Sequence, residues 1–384
     1  LGLVGSEMCI RDSAATTQKI NIASNLATVT GSAAGLKTTF DNNSQFTGLT
    51  GAVAVVNSTT ESASAIDALV SPNPDKIDIS AVTTLTGSLT QVNTYKNAIN
   101  NAKFSGAASN GSSGAKGTNV TTVRLDTAST VDASDLHTAK DNFRTDVKNT
   151  AVFDLQNVTT LVDGYSALKD VIDDTLHFTN LDDRAFTAND GGGISIANAN
   201  TLNAFTSGKV TATIQNADAN VATLNNADAA VALNAGDGGT NEYTITLTDT
   251  SVAYSQLNTL KSKTALAVNL TNTTSVTGSL ANAQSFDTDL GNNEFASTAS
   301  ITTVSLTTAE AVSASDLTTL ASDLRSTVNN SVNLALTSTT GISGSFSQLE
   351  AVIDSSIITG LNSEALTENS GSTITCLLYT SDAA

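Results

Sequence analysis

Apolar residues take every second position in KIDIS (76–80), YTITLTD (243–249), LAVNLT (266–271) and SVNLALT (331–337). That alternation predicts short strands with one face turned inward. Between these stretches the apolar spacing changes to three and four residues. Phe346, Leu349, Val352 and Ile353 then share one helical face, as do Leu317, Leu320, Leu324 and Val328, and Leu136, Ala139, Phe143 and Val147. Each helix is expected to follow a T-G-S turn. At two of these starts, Ser88 with Gln91 and Ser345 with Gln348 fit the S-x-x-Q capping box. Helices this short are marginal in isolation, so their stability must come from packing on the strands.

The strand-then-helix pattern recurs, with units starting near Gln18, Ala52, Lys76, Val120, Ala151, Ala185, Lys209, Tyr243, Leu266, Ile301 and Ser331. Spacings run from 266 − 243 = 23 to 120 − 76 = 44 residues. This is the period at which one unit cannot bury its apolar face and must stack on its neighbours. A longer repeat encloses the short one. VTTVRLDTASTVDASDL from Val120 aligns without a gap on ITTVSLTTAEAVSASDL from Ile301, an offset of 301 − 120 = 181, and Leu168, Val171, Ile172 and Asp173 fall on Leu349, Val352, Ile353 and Asp354. Upstream, LTGSL (85–89) matches VTGSL (276–280) at 191, so ten extra residues are placed in a Gly/Ser-rich inserted loop at 105–119.

These periods predict an α/β repeat: a parallel β-solenoid-like stack with a short helix in most coils. Roughly eleven coils at about 4.8 Å each would span about 50 Å. Phe46, Phe104 and Phe295, in QFTG, KFSG and EFAS, are expected in an internal row.

Composition narrows the function. The chain carries 17 basic and 36 acidic residues, for a net charge of −19. Its Lys and Arg are scattered, which argues against a nucleic-acid partner. Apolar residues make up 40% of the chain, but only 4% is aromatic and Trp is absent, as suits a narrow core of small side chains. No run of about 18 apolar residues predicts a membrane span.

Candidate chemistry is sparse. His137 and His177 are the only histidines, 40 positions apart by 177 − 137, and neither has a Cys or second His near it in sequence. His137, which replaces Thr318 of the sister repeat, is expected on a solvated helix face. Asp163, Asp170, Asp173 and Asp174 crowd one unit, where the sister repeat has Gly344, Ala351, Asp354 and Ser355. Such a cluster could belong to a polysaccharide-cleaving site or to a solvated face, and the solvated face is the expectation. NDGGG (189–193) and GDGGTN (236–241) hint at calcium, but neither supplies a known ligand series, so both are expected to be turns. The Thr-rich TITLTDT (244–250) would need partners in successive coils to bind ice, and LAVNLT does not offer them. The N-x-S/T sequons at Asn119, Asn157 and Asn272 follow from composition alone. No catalytic, cofactor-binding or metal-ligating residue is assigned, and no cofactor is expected beyond a weak case for calcium.

The two ends read differently. GSEMCIRDS (5–13) and CLLYTSDAA (376–384) back-translate to sequences resembling a transposase sequencing adapter and its complement, so 1–13 and 376–384 are expected to be adapter-derived. They contain Met8, Cys9 and Cys376, the chain's one Met and two Cys. Without Arg11, Glu7, Asp12 and Asp382, the interior carries 16 basic and 33 acidic residues, or 16 − 33 = −17.

Residues 14–375, acidic, cysteine-free and rich in Thr, Ser and Asn, resemble segments of giant bacterial cell-surface or secreted repeat proteins of the adhesin or surface-layer kind. The resemblance implies a non-catalytic rod or spacer, extracellular or on the cell surface, contacting a surface ligand, carbohydrate or neighbouring protein. A phage tail-fibre-type appendage and a solenoid polysaccharide lyase or hydrolase are the alternatives.

Overall fold

The computed structural model describes residues 20–21, 27–47, 49, 51–71, 74, 76–99, 104–105, 119–126, 129–236, 240–361 and 364–369. The adapter-like ends, the Gln18 unit start and nearly all of the inserted loop lie outside them.

Two compact units account for the chain: residues 1–159 with 170–181, and residues 160–169 with 182–384. In chain order the first unit contains β1 (Ile20–Asn21), β2 (Thr28–Gly31), α1 (Ala33–Asp41), β3 (Phe46–Thr47), β4 (Val53–Val56), β5 (Thr60–Ser62), α2 (Ala63–Ala68), β6 (Lys76–Asp78) and β7 (Thr84–Gly87). It continues with α3 (Leu89–Ile99), β8 (Phe104–Ser105), β9 (Thr122–Leu125), β10 (Thr130–Asp132), α4 (Ala133–Asp146) and β11 (Val152–Asp154). Next come β12 (Thr160–Asp163), which belongs to the second unit, α5 (Tyr165–Asp173), which bridges the division, and β13 (Phe178–Thr179), back in the first. The second unit runs on through β14 (Ala185–Ala188), α6 (Ile196–Phe205), β15 (Val210–Thr213), α7 (Val221–Leu224), β16 (Glu242–Thr244), β17 (Ser251–Ala253), α8 (Tyr254–Lys261), β18 (Val268–Asn269) and β19 (Ser275–Gly278). Its last elements are α9 (Leu280–Gly291), β20 (Phe295–Ala296), β21 (Thr303–Leu306), β22 (Ala311–Ser313), α10 (Ala314–Thr327), β23 (Asn333–Leu336), β24 (Gly341–Gly344), α11 (Phe346–Ile353), β25 (Ile358–Thr359) and β26 (Ala365–Glu368).

The fold is α/β, and the sheets within each unit are parallel throughout. In the first unit β2-β4-β6-β8 and β5-β7-β9-β11-β13 run side by side in those orders. The second contains β12-β14-β15-β16, β17-β19-β21-β23-β25 and β22-β24-β26. No sheet closes on itself among the described residues.

Register explains why strands of two to four residues hold. Val252, Val276, Val304, Leu334 and Ile358 lie opposite one another in five successive strands, and all five are buried. Each such side chain contributes on the order of 1.5–3 kcal/mol by leaving water. Helices pack in sequence along each unit, α1 on α2, α2 on α3 and α3 on α4, then α8 on α9, α9 on α10 and α10 on α11.

The long repeat is carried by whole elements: β9, β10 and α4 reappear 181 residues later (303 − 122) as β21, β22 and α10 with identical lengths. Both α4 and α10 have 14 residues and are N-capped by the last residue of the preceding strand, Asp132 and Ser313. Both capping boxes form on the Gln side, with the Ser88 and Ser345 N–H groups donating to Gln91 Oε1 and Gln348 Oε1 at 2.8 Å.

Thr and Asn richness has a structural use. Thr83 Oγ1 donates to the Thr59 carbonyl at 3.2 Å and Thr121 Oγ1 to the Thr83 carbonyl at 3.4 Å. In the second unit, Thr274 Oγ1 donates to the Thr250 carbonyl at 3.0 Å and Thr302 Oγ1 to the Thr274 carbonyl at 3.3 Å. All three sequon asparagines point the same way: Asn119, Asn157 and Asn272 donate Nδ2 to the carbonyls of Ser80, Leu125 and Leu247. The Thr hydroxyls thus add a side-chain link where backbone N–H groups already bond, as Thr83 and Thr84 do to the Thr59 carbonyl, and the Asn amides add further links from one strand segment to the next.

Three expectations change. The T-G-S segments are strands, not turns: Thr84–Gly87 and Ser275–Gly278 are β7 and β19, each hydrogen-bonded on both sides. Glycine ends β19 because the helix that follows starts at once, and a Cβ on Gly278 would stand 2.7 Å from the Cβ of Asn282 in its first turn. The alternating runs also yield shorter strands than their length implies, LAVNLT giving only Val268–Asn269. Finally, α11 buries Leu349 and Val352 but leaves Phe346 and Ile353 exposed. The other two predicted faces, on α4 and α10, are buried as expected. Phe46 and Phe295 are buried, Phe104 opens β8, and its side chain lies outside the described residues.

Candidate functional site

The four crowded aspartates separate. Asp163 closes β12 and accepts the Gly164 N–H at 2.7 Å. Asp170 and Asp173 are exposed on α5. Asp174, just past that helix, enters a charged cluster.

That cluster joins both histidines, which the sequence places 40 residues apart. On α4, His137, Lys140 and Asp141 occupy neighbouring turns, and the segment before β13 brings Asp174 and His177 against them. Lys140 is buried, with its Nζ 2.7 Å from Asp174 Oδ2, 2.9 Å from Asp141 Oδ1 and 3.2 Å from His137 Nε2. The ammonium also lies 5.5 Å from the Phe178 ring centroid. His137 Nδ1 is 3.3 Å from Asp141 Oδ2, and His177 Nδ1 pairs with Asp174 Oδ1. Burial alone would raise the Asp174 carboxyl, yet hydrogen bonds and charge from Lys140 and His177 hold it below the usual carboxylate range.

His137 is thus half-exposed and paired rather than freely solvated. A sequence signal for the cluster exists in the sister repeat, where Thr318, Ala321 and Ser322 replace His137, Lys140 and Asp141 at the 181 offset. Ser355 replaces Asp174 at the same offset, and Ile357 stands in for His177. The His177 carbonyl accepts the Phe153 N–H as the Ile357 carbonyl accepts the Leu334 N–H, which fixes that last match. Five ionisable residues are exchanged together for neutral ones.

Chemically the cluster is closed. Lys140 hydrogen-bonds to Asp174 and His137 and is ion-paired with Asp141 as well, so its charge is compensated from within the cluster. Asp174 and His177 resemble two members of a hydrolytic triad, but among the described residues no Ser, Thr or Cys side chain bonds to His177. Nor do three or more His, Cys, Asp or Glu side chains gather to hold a metal ion among the described residues.

A second buried network belongs to the second unit. Tyr254 Oη donates to Asp289 Oδ2 at 2.7 Å, and Lys261 Nζ lies 2.7 Å from Asp289 Oδ1. Burial and the adjacent carboxylate push the Tyr254 phenol well above its ordinary range. Nearby in the chain, Asn241 accepts the Val210 N–H and donates to Asn203 Oδ1 and Tyr243 Oη, filling the space beside Gly236. Of GDGGTN, residues 237–239 lie outside the described residues.

Other carboxylates are spent on helix starts. Glu61 accepts the first N–H of α1, from Ala33, at 3.0 Å. Asp190 receives that of Tyr165 at 2.8 Å, Asp218 that of Ile196 at 3.1 Å, Asp249 that of Val221 at 2.8 Å and Glu310 that of Leu280 at 2.7 Å. In each case the carboxylate lies 22 to 30 residues downstream, in the next strand-bearing segment. NDGGG thereby becomes a capping turn, in which Gly193, at φ +76°, passes so close to the Thr213 carbonyl that a Cβ would stand 2.8 Å from it.

No helix of the described residues is long and apolar enough to cross a membrane. Compared with protein families, with curated proteins and with solved structures, the chain finds no match.

Proposed function

We propose that residues 14–375 are a non-catalytic structural and interaction segment of a large secreted or cell-surface repeat protein, wound as a solenoid of strand-plus-helix coils. The observation that carries this reading is the unbroken register of buried residues from one short parallel strand to the next, Val252 to Ile358 in one unit and Leu85, Val123, Phe153 and Phe178 in the other. A chain that spends its carboxylates, threonines and asparagines on joining neighbouring coils is built to propagate a shape. Its ionisable clusters are saturated internally, which speaks against a carboxylate-based lyase. The outward surface is left for contact with a carbohydrate or a neighbouring protein.

Small-angle scattering of residues 14–375 tests the reading. A pair-distance distribution with a long tail, its maximum dimension several times the cross-section, is expected. A symmetric, compact distribution would overturn it.

A further inference from the structure

The last strand and helix of the second unit present an apolar face that the first copy of the long repeat keeps covered. Leu366 lies opposite Ile342, which lies opposite Val312. Val312 and Ile342 are buried, whereas Leu366 is 48% exposed. In the first copy Leu161 matches Ile342 at the 181 offset, and Leu161 lies opposite Phe186, which makes Phe186 the counterpart of Leu366. Phe186 is 0% exposed. The backbone agrees, since the Asn189 N–H donates to the Asp163 carbonyl and the Asn369 N–H to the Gly344 carbonyl.

What covers Phe186 is β15. Val210 lies opposite it, and the Phe186 N–H donates to the Lys209 carbonyl at 2.9 Å. β26 is an edge strand among the described residues. Beside it on α11, Ile353 is 54% exposed where its counterpart Ile172 is 6% exposed.

We infer that β26, with the exposed side of α11, is a docking face for one further coil of this same repeat pattern, entering as a parallel strand of the β15 kind with a β-branched residue opposite Leu366. The inference rests on the stacked-coil reading above and deepens it by naming the partner. An edge with an apolar row, left open among the described residues, is what parallel strand addition uses: backbone hydrogen bonds hold the incoming strand and the inward side chain sets its register. Continuity supplies the choice of partner, because the interface already formed by β14 and β15 is repeated here with one side open.

The test adds a synthetic peptide of residues 194–215, spanning α6 and β15, to the full chain and follows amide hydrogen exchange. At saturating peptide the Leu366 amide should exchange at least tenfold more slowly. Leu366→Lys, at a position already exposed, should abolish the protection while leaving the circular dichroism spectrum unchanged. A peptide carrying Val210→Lys should also fail.

Unchanged Leu366 exchange up to millimolar peptide would overturn the inference. So would a concentration-dependent doubling of mass without peptide that Leu366→Lys abolishes, since the face would then belong to a second copy. An elongated scattering profile together with absent peptide protection would sink this inference alone. A compact profile would sink the solenoid reading separately.

Discussion

Lys140 occupies in one copy of the long repeat the buried place that Ala321 occupies in the other. Burying an ammonium is costly unless it is paired, so the first copy surrounds it with Asp141, Asp174 and His137. The arrangement makes a pH prediction. Because Asp174 titrates below its ordinary value in the fold, its stabilisation is complete above about pH 4, the unfolded range of a carboxyl, and is lost as pH falls through the lower folded value. Asp174→Asn should therefore cost about 2 kcal/mol at pH 7, measured by urea unfolding, and the gap from the parent should close below about pH 4. Exchanging Lys140→Ala, Asp141→Ser and Asp174→Ser together, as in the sister repeat, should cost much less than the single change. A larger cost for the combined exchange would mean that the cluster supports the fold in some way other than satisfying Lys140.

At the scale of elements, helix starts are tied by carboxylates to segments 22 to 30 residues downstream. An anion at the first turn complements the helix dipole and accepts an N–H that has no partner within the helix. Glu310→Gln keeps an acceptor near Leu280 but removes the charge, and should destabilise the protein by about 0.5–1 kcal/mol at low salt. The loss should shrink at high salt, where the charge is screened. A salt-independent loss would show that Glu310 acts through hydrogen bonding alone. These links also explain how much of the structure was legible. The 181-residue offset and the unit starts from Ala52 to Ser331 are visible because buried positions repeat along the chain, and β4, β6, β14 and β23 begin within two residues of the expected places. Second strands such as β7 and β19 are hidden in T-G-S because glycine reads as a turn, whereas here it closes a strand directly against the first turn of the next helix. The Lys140 cluster was hidden because its two halves are brought together only when α4 and the β13 segment stack, and the two histidines share no local motif.

At the scale of the whole molecule, the proposed stack of coils implies that damage stays local. In an array where each coil touches only its neighbours, stability is a sum of coil and interface contributions, and a lesion is felt most by the coils beside it. Phe286 is fully buried on α9, with ring centroids 6.2 Å from Tyr254 and 5.7 Å from Phe295. Phe286→Ala removes about 3–5 kcal/mol of packing. If the second unit behaves as such an array, the Val268 amide, which donates to the Glu294 carbonyl of the adjacent strand segment, should lose most of its protection in native-state hydrogen exchange. The Phe186 amide, bonded to Lys209 several strands earlier in the same unit, should keep nearly its parental rate. A globular domain with one cooperative core would instead lower protection at both amides by similar factors. The ratio of the two changes therefore separates coil-by-coil stability from a single shared core, using residues that take no part in any proposed contact surface.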